Sequence, residues 1–503
     1  MTINNRENIN MKKWVGVIKK YFILIGLLAN VSFVVVFGFL LNKVSSLELS
    51  LPLFSEKVRN ELSTNQPNLL SVASPLLNII SFFKEKNHYF RQLDVSQWHG
   101  IGAKRNAFLS PENTIMVFNV TELLLALKQV SVGQTILVSP GDYVIDQFGI
   151  SLTKAGSLSQ PIRVVAEQLG TVKIHLRGEG FVVNKPHWQF SNLHLIGHCK
   201  KHVNCEHAFH VVGQGQHTVI KNNIMQDFNA MIKVNGIGNN YPDHGLVTQN
   251  TFFNTSPRNT INPVTPIDLM HANNWRVVNN FIFDIQKSAG DEVSYAAFFK
   301  GGSQNGVFEQ NLVICAANLA DEYTSIGLSL GGGGSLQAHR RDKNPAEHVN
   351  GVIRNNIIMH CANDVGIYLN RASNSQVHHN TLYNTLGVDV RFEESSAIIG
   401  ANIISGRIKK RDKGEFTQKD NLIVKQSFFT GKDNMSDYFI APDIGDFSWQ
   451  DVFRVNDYRD LTPSLFNDFC GNRIEHGYIG AYSGATFCLD KLNLKTADNK
   501  GVF

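Results

Sequence analysis

Charge is scarce in this chain. Only 18% of its 503 residues are Asp, Glu, Lys or Arg, against 43% hydrophobic, which excludes a charge-extended disordered polymer. Of the 47 basic and 42 acidic residues, Arg6, Lys12, Lys13, Lys19, Lys20, Lys43 and Glu7 fall in the first 43, leaving 41 of each sign beyond them. A neutral body lacks the basic face that displaces counterions from phosphates, so no nucleic-acid partner is expected. Three motifs are also missing. No C-x-x-C, no H-E-x-x-H and no G-K-[ST] occurs. Neither a thiolate zinc site, a zinc-protease helix nor a phosphate loop is therefore encoded in its usual form, and no metal is assigned.

What is present begins with one apolar run, YFILIGLLANVSFVVVFGFLL at residues 21–41, 21 residues without a charge. Its length spans a bilayer as a helix, and the lysines before it place residues 1–20 in the cytoplasm. A cleaved signal peptide is the competing reading. The expectation is a single-pass protein of a bacterial-type inner membrane, with residues 42–95 as a partly helical stalk and the body periplasmic or extracellular. Six cysteines, an even number, suit such an oxidising location. Cys199/Cys205 and Cys470/Cys488 would each close a short loop, and Cys315 and Cys361 follow comparable asparagines closely enough to be neighbours in space.

The body repeats. FSNLHLIG, IKNNIMQD, VTQNTFFN, VVNNFIFD, FEQNLVIC, IRNNIIMH, VHHNTLYN, IGANIISG and QKDNLIVK each carry an asparagine leading a short strand: Asn192, Asn223, Asn250, Asn280, Asn311, Asn356, Asn380, Asn402 and Asn421. The apolar residues alternate with period two, not 3.6, which excludes a helical solenoid. Coils of about 20 to 30 residues with asparagine turns describe a parallel β-helix of nine or more coils, the asparagines supplying left-handed turn conformations and coil-to-coil hydrogen bonds. The expected domain is residues 96–425, with an N-terminal cap in NVTELLLALKQVSVGQTILVSPGDYVID (Thr121 as N-cap, a helix from Leu123 to Val130, a first strand from Thr135 to Val138), an insertion near 327–348, and residues 426–503 capping the C-terminal end.

The helix-strand-PGDY run, the following PIRVVAEQLGTVKI (Pro161 to Ile174) and the tail DFCGNRIEHGYIGAYSG (Asp468 to Gly484) resemble chondroitinase B-like polysaccharide lyases and related right-handed β-helix proteins. The resemblance implies a right-handed helix and a lysine base at a strand end shortly before an asparagine-led strand. Lys300 in FFKGGSQNGVFEQN matches that placement. It also implies an arginine acid, for which Arg391 or Arg340 are candidates. The acidic calcium ligands of the pattern correspond here to Val293 and Tyr295, so no calcium and no other cofactor is assigned.

Aligning the strand before each asparagine gives an outward polar stripe: His210, Lys233, Asp268, Lys300, Ser329, Tyr368 and Arg391. Eliminative cleavage of a uronic-acid polymer needs a cation at the sugar carboxylate, a base for the C5 proton and an acid for the leaving oxygen. The candidate catalytic residues are Lys300, Arg391 and His210. The candidate substrate contacts are Lys233, Asp268, Tyr368, Arg340 and Arg258. GLSLGGGGSLQAHRRDKNPAEH, Gly327 to His348, would form a lid over the stripe. Two functions fit. One is a membrane-anchored enzyme acting on an acidic polysaccharide by lyase-type β-elimination or C5-epimerisation. The other is a non-catalytic cell-envelope protein binding a glycan or a partner.

Overall fold

A computed structural model describes residues 50–82, 94–107, 113–427 except 333 and 362, 429, 434–451, 467–473, 478–494 except 485, and scattered residues between 19 and 38. The chain divides into two compact units, residues 87–425 with 433–503, and residues 1–86 with 426–432. In the smaller unit the helices Leu51–Asn65 and Pro67–Phe82 are tied by a 2.8 Å hydrogen bond from Arg59 Nη2 to Asn78 Oδ1. The run at 21–41 falls largely outside the described residues. Those described within it are helical, and all but Gly26 are exposed, Ile23 and Leu24 among them. Among the described residues no helix is long and apolar enough to cross a membrane.

The larger unit is a parallel β-helix. Each coil contributes strands of about three to five residues to three sheets of twelve, ten and eleven strands, and every pairing within these sheets is parallel. Alternate residues turn inward into one continuous core in which Phe181, Phe190 and Phe209 pack ring against ring. One end is covered by the helix Val120–Gln129, whose Leu123 and Leu127 join that core. Its N-cap is Asn119 rather than Thr121. Asn119 Oδ1 accepts the Glu122 N–H at 2.9 Å, and Glu122 reaches back to accept from Asn119 Nδ2 at 2.7 Å and from the N–H of Phe118, the residue before the cap, at 2.8 Å.

The asparagine ladder runs from Asn223 to Asn421 through Asn250, Asn280, Asn311, Asn356, Asn380 and Asn402. Each Oδ1 accepts both the backbone N–H and the Nδ2–H of the preceding member, as Asn280 Oδ1 does from Asn250 at 3.0 and 3.1 Å. These residues do not themselves take the left-handed conformation. The residue before each one does: Asn222, Gln249, Asn279, Gln310, Asn355, His379, Ala401 and Asp420, with φ between 54° and 59°. Asn192, with φ 64°, belongs to this second row, and Leu193 occupies the ladder position of its coil. A left-handed turn followed by an inward amide thus makes each bend, and stacked amides satisfy the buried backbone groups there.

Two outer segments run along that left-handed row. Ile101 donates to Asn279 O at 2.8 Å, Gln249 Nε2 to Gly102 O at 2.7 Å, and Lys104 N to Asn222 Oδ1 at 2.9 Å. Further along, Gln310 Nε2 donates to Asp468 O, Asn355 Nδ2 to Ala481 O at 3.3 Å, and the Gly480 N–H to Ala401 O at 2.9 Å. The C-terminal region therefore lies along the flank in its described parts instead of covering the end. Its Met435, Phe439, Phe447 and Tyr482 share a second core with Phe281, Ile314, Ile357, Met359 and Ile403, the outer face of the eleven-stranded sheet. The three disulfides are Cys199–Cys205, Cys315–Cys361 and Cys470–Cys488.

Candidate functional site

The outer face of the ten-stranded sheet carries the polar residues, in two columns and not one stripe. The first runs His210, Lys233, Asp268, Phe298, Ser329, Tyr368, Asp389, Lys409. The second, two residues further along each strand, pairs Met270 with Lys300 and, later, Asn370 with Arg391 and Arg411. Lys300 and Arg391 thus belong to the second column. Both columns face outward because two residues is one full period of the strand.

Lys233, Asp268 and Lys300 come together. Lys233 Nζ is 2.6 Å and Lys300 Nζ 3.8 Å from Asp268 Oδ2, and the aspartate is only 4% exposed. Burial pushes the Asp268 carboxyl up, but the two ammonium groups outweigh it and hold the pKa below the ordinary value. Asp268 Oδ1 is buried without a hydrogen-bond partner among the described residues. Lys300 lies with Nζ 4.1 Å from the centre of the Phe298 ring. Burial lowers its pKa, Lys233 lowers it further, and Asp268 and Glu347 oppose them without cancelling the shift. A larger neutral fraction makes Lys300 a better proton acceptor than a surface lysine.

His210 borders this centre. Its Nδ1 meets Glu179 and its Nε2 lies 2.7 Å from Asn235 Oδ1, so both ring nitrogens are engaged. His207, 5.0 Å away ring to ring, is pushed down to about 4, chiefly by burial.

The insertion after Leu330 closes over Lys300. A Cβ on Gly332 would stand 2.9 Å from Lys300 Cδ, so glycine is what permits this approach. The returning end is fastened by Glu347, which accepts the Gly301 N–H at 2.8 Å and the Ser335 hydroxyl at 2.7 Å. Arg341 grips Asp243 with both terminal nitrogens, at 2.7 and 3.1 Å, and lies over the Tyr241 ring. His271 Nε2 is 2.9 Å from the His339 carbonyl oxygen. Arg340 is spent inside the insertion, donating to Ser335 O at 2.9 Å and to Pro345 O, 3.4 Å from Glu347. It does not reach the columns.

Arg258 stands elsewhere. It is 2% exposed, between the strands Thr251–Phe253 and Ile267–Met270, and donates to Asn229 Oδ1 at 3.3 Å. Burial lowers its pKa to about 10. Tyr368 and Arg391 meet each other at 3.3 Å, with Arg391 Nε 2.5 Å from Asp412. Arg391 is three strands from Lys300, about 14 Å at the usual strand spacing, so the two do not share one bond-breaking centre. Although partial burial works against its charge, Tyr368 and Asp412 keep Arg391 more firmly protonated than an ordinary arginine. Val293 and Tyr295 pack with Ile326, Val365 and Tyr368 in an apolar cluster.

Glu179, Asn235, His271 and Glu347 were not singled out from the sequence. Only His271 left a trace there, as the polar residue closing the run PIDLMH one turn from Lys300.

No family profile and no curated protein matches this sequence. Among solved structures, the chain is similar to a PL6 family polysaccharide lyase from Pseudopedobacter saltans at 14% identity, covering 61% of this chain and 92% of that one, with a TM-score of 0.35. A rhamnogalacturonan lyase matches at 12% identity, over 64% and 85% of the chains, with a TM-score of 0.43. A pectate lyase matches at 14%, over 71% and 82%, with a TM-score of 0.41.

Proposed function

We propose that the outer face of the ten-stranded sheet binds an acidic polysaccharide and cleaves it by β-elimination at a uronic acid residue, with Lys300 as the base. The observation that carries this reading is the placement of Lys300. Its amine is largely buried, lowered in pKa, beside a second cation and a buried carboxylate, and it makes no hydrogen bond among the described residues. Lys233 would face the sugar carboxylate and make the C5 hydrogen acidic. Neutral Lys300 removes that proton as the C5–C4 double bond forms and the C4–O bond breaks. The resulting Lys300 ammonium then returns a proton to the leaving oxygen if both stand on one side of the ring. This route asks nothing of Arg391.

C5-epimerisation would begin with the same abstraction and end with the proton returned to the opposite face. The apolar run at 21–41, following lysines, supports attachment to a membrane with the body on the far side. The test is to offer the full chain galacturonan, alginate and chondroitin in turn and follow the absorbance of the unsaturated product. Turnover by the parent and its loss in Lys300→Ala supports the proposal. Binding without product from any of these polymers refutes it in favour of a glycan-binding protein.

A further inference from the structure

Lys300 is followed by two left-handed glycines, Gly301 with φ 71° and Gly302 with φ 78°. Both are crowded. A Cβ on Gly301 would lie 2.7 Å from Met270 Cγ, and one on Gly302 would lie 2.7 Å from the Arg341 carbonyl oxygen. The turn that ends the lysine's strand is thus built against the insertion, and one residue of the insertion holds both glycines. Glu347 Oε2 accepts the Gly301 N–H at 2.8 Å, and the Glu347 carbonyl oxygen accepts the Gly302 N–H at 2.8 Å. The Glu347 N–H donates in turn to Arg371 O at 2.7 Å, which ties this clamp to the next coil.

Holding a turn needs no charge, and a charge is what Glu347 brings. Its side chain is completely buried, where an ion is expensive. All its side-chain partners are donors: the Gly301 N–H at 2.8 Å, the Ser335 N–H and hydroxyl at 3.3 and 2.7 Å, and Arg340 Nη2 at 3.4 Å. That is the pattern of an ionised carboxylate, which can only accept. A glutamine would turn an amide N–H toward one of these donors. The charge is felt beyond the insertion. Burial lowers the pKa of both Lys300 and His271, and Glu347 opposes that shift at each. The other charged groups facing Lys300 are Asp268 and Lys233, one and two coils back, and Asp268 is already divided between two amines.

We infer that Glu347 is a positioning residue for Lys300: it fixes the two glycines that aim the lysine, and it places a second negative charge near the amine. The inference rests on the reading of Lys300 as the base and adds a dependence to it. The insertion carries part of the electrostatics of the proton transfer, so Lys300 is complete as a base only while the insertion is docked.

The experiment follows acetylation of Lys300 by acetic anhydride as a function of pH in the full chain, read by mass spectrometry of the peptide that contains it. Only the neutral amine reacts. Glu347→Gln keeps the volume and removes the charge, and Glu347→Asp keeps the charge, with melting temperatures as a check on folding. The expected result is a labelling midpoint at lower pH in Glu347→Gln, with Glu347→Asp closer to the parent. If Glu347 only fastens the insertion, Glu347→Gln uncovers the lysine, and its midpoint rises toward the ordinary lysine value of about 10.4. That rise, an unmoved midpoint, or an equal fall in Glu347→Asp overturns the inference. Should Glu347→Gln not fold, Ser335→Ala loosens the insertion and spares the charge. Its Lys300 midpoint is expected to stay with the parent, and a shift overturns the inference. Labelling needs no substrate, so a parent that cleaves no uronan overturns the base reading by a separate route.

Discussion

Lys300 stands opposite Met270 in the strand ladder, yet its ammonium reaches diagonally to within 3.8 Å of Asp268, one coil back. The diagonal matters because Asp268 already holds Lys233 at 2.6 Å. One carboxylate is shared between two amines, and burial weakens the protonation of Lys300, the more distant of them.

Replacing Lys300 by arginine separates charge from basicity. Arginine keeps a cation over Phe298 but cannot release its proton at working pH. Turnover of a uronan is expected to fall by about a hundredfold or more, as for loss of a general base, while the melting temperature holds. An active Lys300→Arg enzyme would leave the residue a binding cation only.

Asp268→Asn removes the shared counter-charge. Two mostly buried amines then face each other, which should cost about 3 kcal/mol of stability in urea titrations. The pH dependence has a definite sign. A carboxylate with a depressed folded pKa contributes stability that is fully present above its unfolded value, about 3.9, and is lost as pH falls through the lower folded value. The parent should therefore lose stability below about pH 4 more steeply than the Asn variant. Without Asp268 the Lys300 pKa drops further, so the acidic limb of kcat/KM should move to lower pH. A limb that stays in place would mean Lys300 is not the titrating base.

Asn311→Leu interrupts the ladder. Asn280 loses the oxygen that accepts its buried backbone N–H, while its Nδ2 keeps the carbonyls of Val247 and Val278. About 1 to 3 kcal/mol for the orphaned N–H is expected in denaturant unfolding. Leu193 shows that leucine fits the position where the ladder has already ended, so a loss near zero at 311 would make the amides ornamental to stability.

Deleting residues 433–503 should yield soluble protein only poorly and with strong binding of an apolar dye. The deletion uncovers Phe281, Ile314, Ile357, Met359 and Ile403, which face outward but are buried by that region. A well-behaved truncated monomer would show that the flank contact is dispensable.

The repeat was legible because Asn223 and its successors do one physical job at one place in each coil, and a job repeated leaves a period in the sequence. The Cys315–Cys361 disulfide was legible for the same reason, since both cysteines follow the ladder at nearly equal distances, whereas Cys199–Cys205 and Cys470–Cys488 were read from the short loops they close. The register of the outer face was harder to read. Seventeen residues separate Lys233 from its coil's asparagine Asn250, where the other coils apart from the one with the insertion need 11 to 13, so column membership depends on turn lengths that alternation alone does not fix. Arg340 and Arg258 illustrate a second limit. A cation in a loop looks available in a sequence, and only the folded chain reveals that Pro345 and Asn229 have already claimed these two. Ile357 makes the same point for an apolar residue, since its outward side chain is hidden by a segment far away in sequence.

A stack of coils that touch only their neighbours ordinarily unravels from its ends, one layer at a time. The segments along the left-handed row alter that mechanics. Residues 101 to 104 hold the coils of Asn279, Gln249 and Asn222 to a single strand of chain, and residues 468 to 481 hold those of Gln310, Asn355 and Ala401 to another. Gly102 in turn donates to Lys491 O, which knots the two together. No middle layer can peel away without tearing a cord that its neighbours also depend on. The coils are bound like pages to a spine, and their loss of structure is a shared event with a single steep onset.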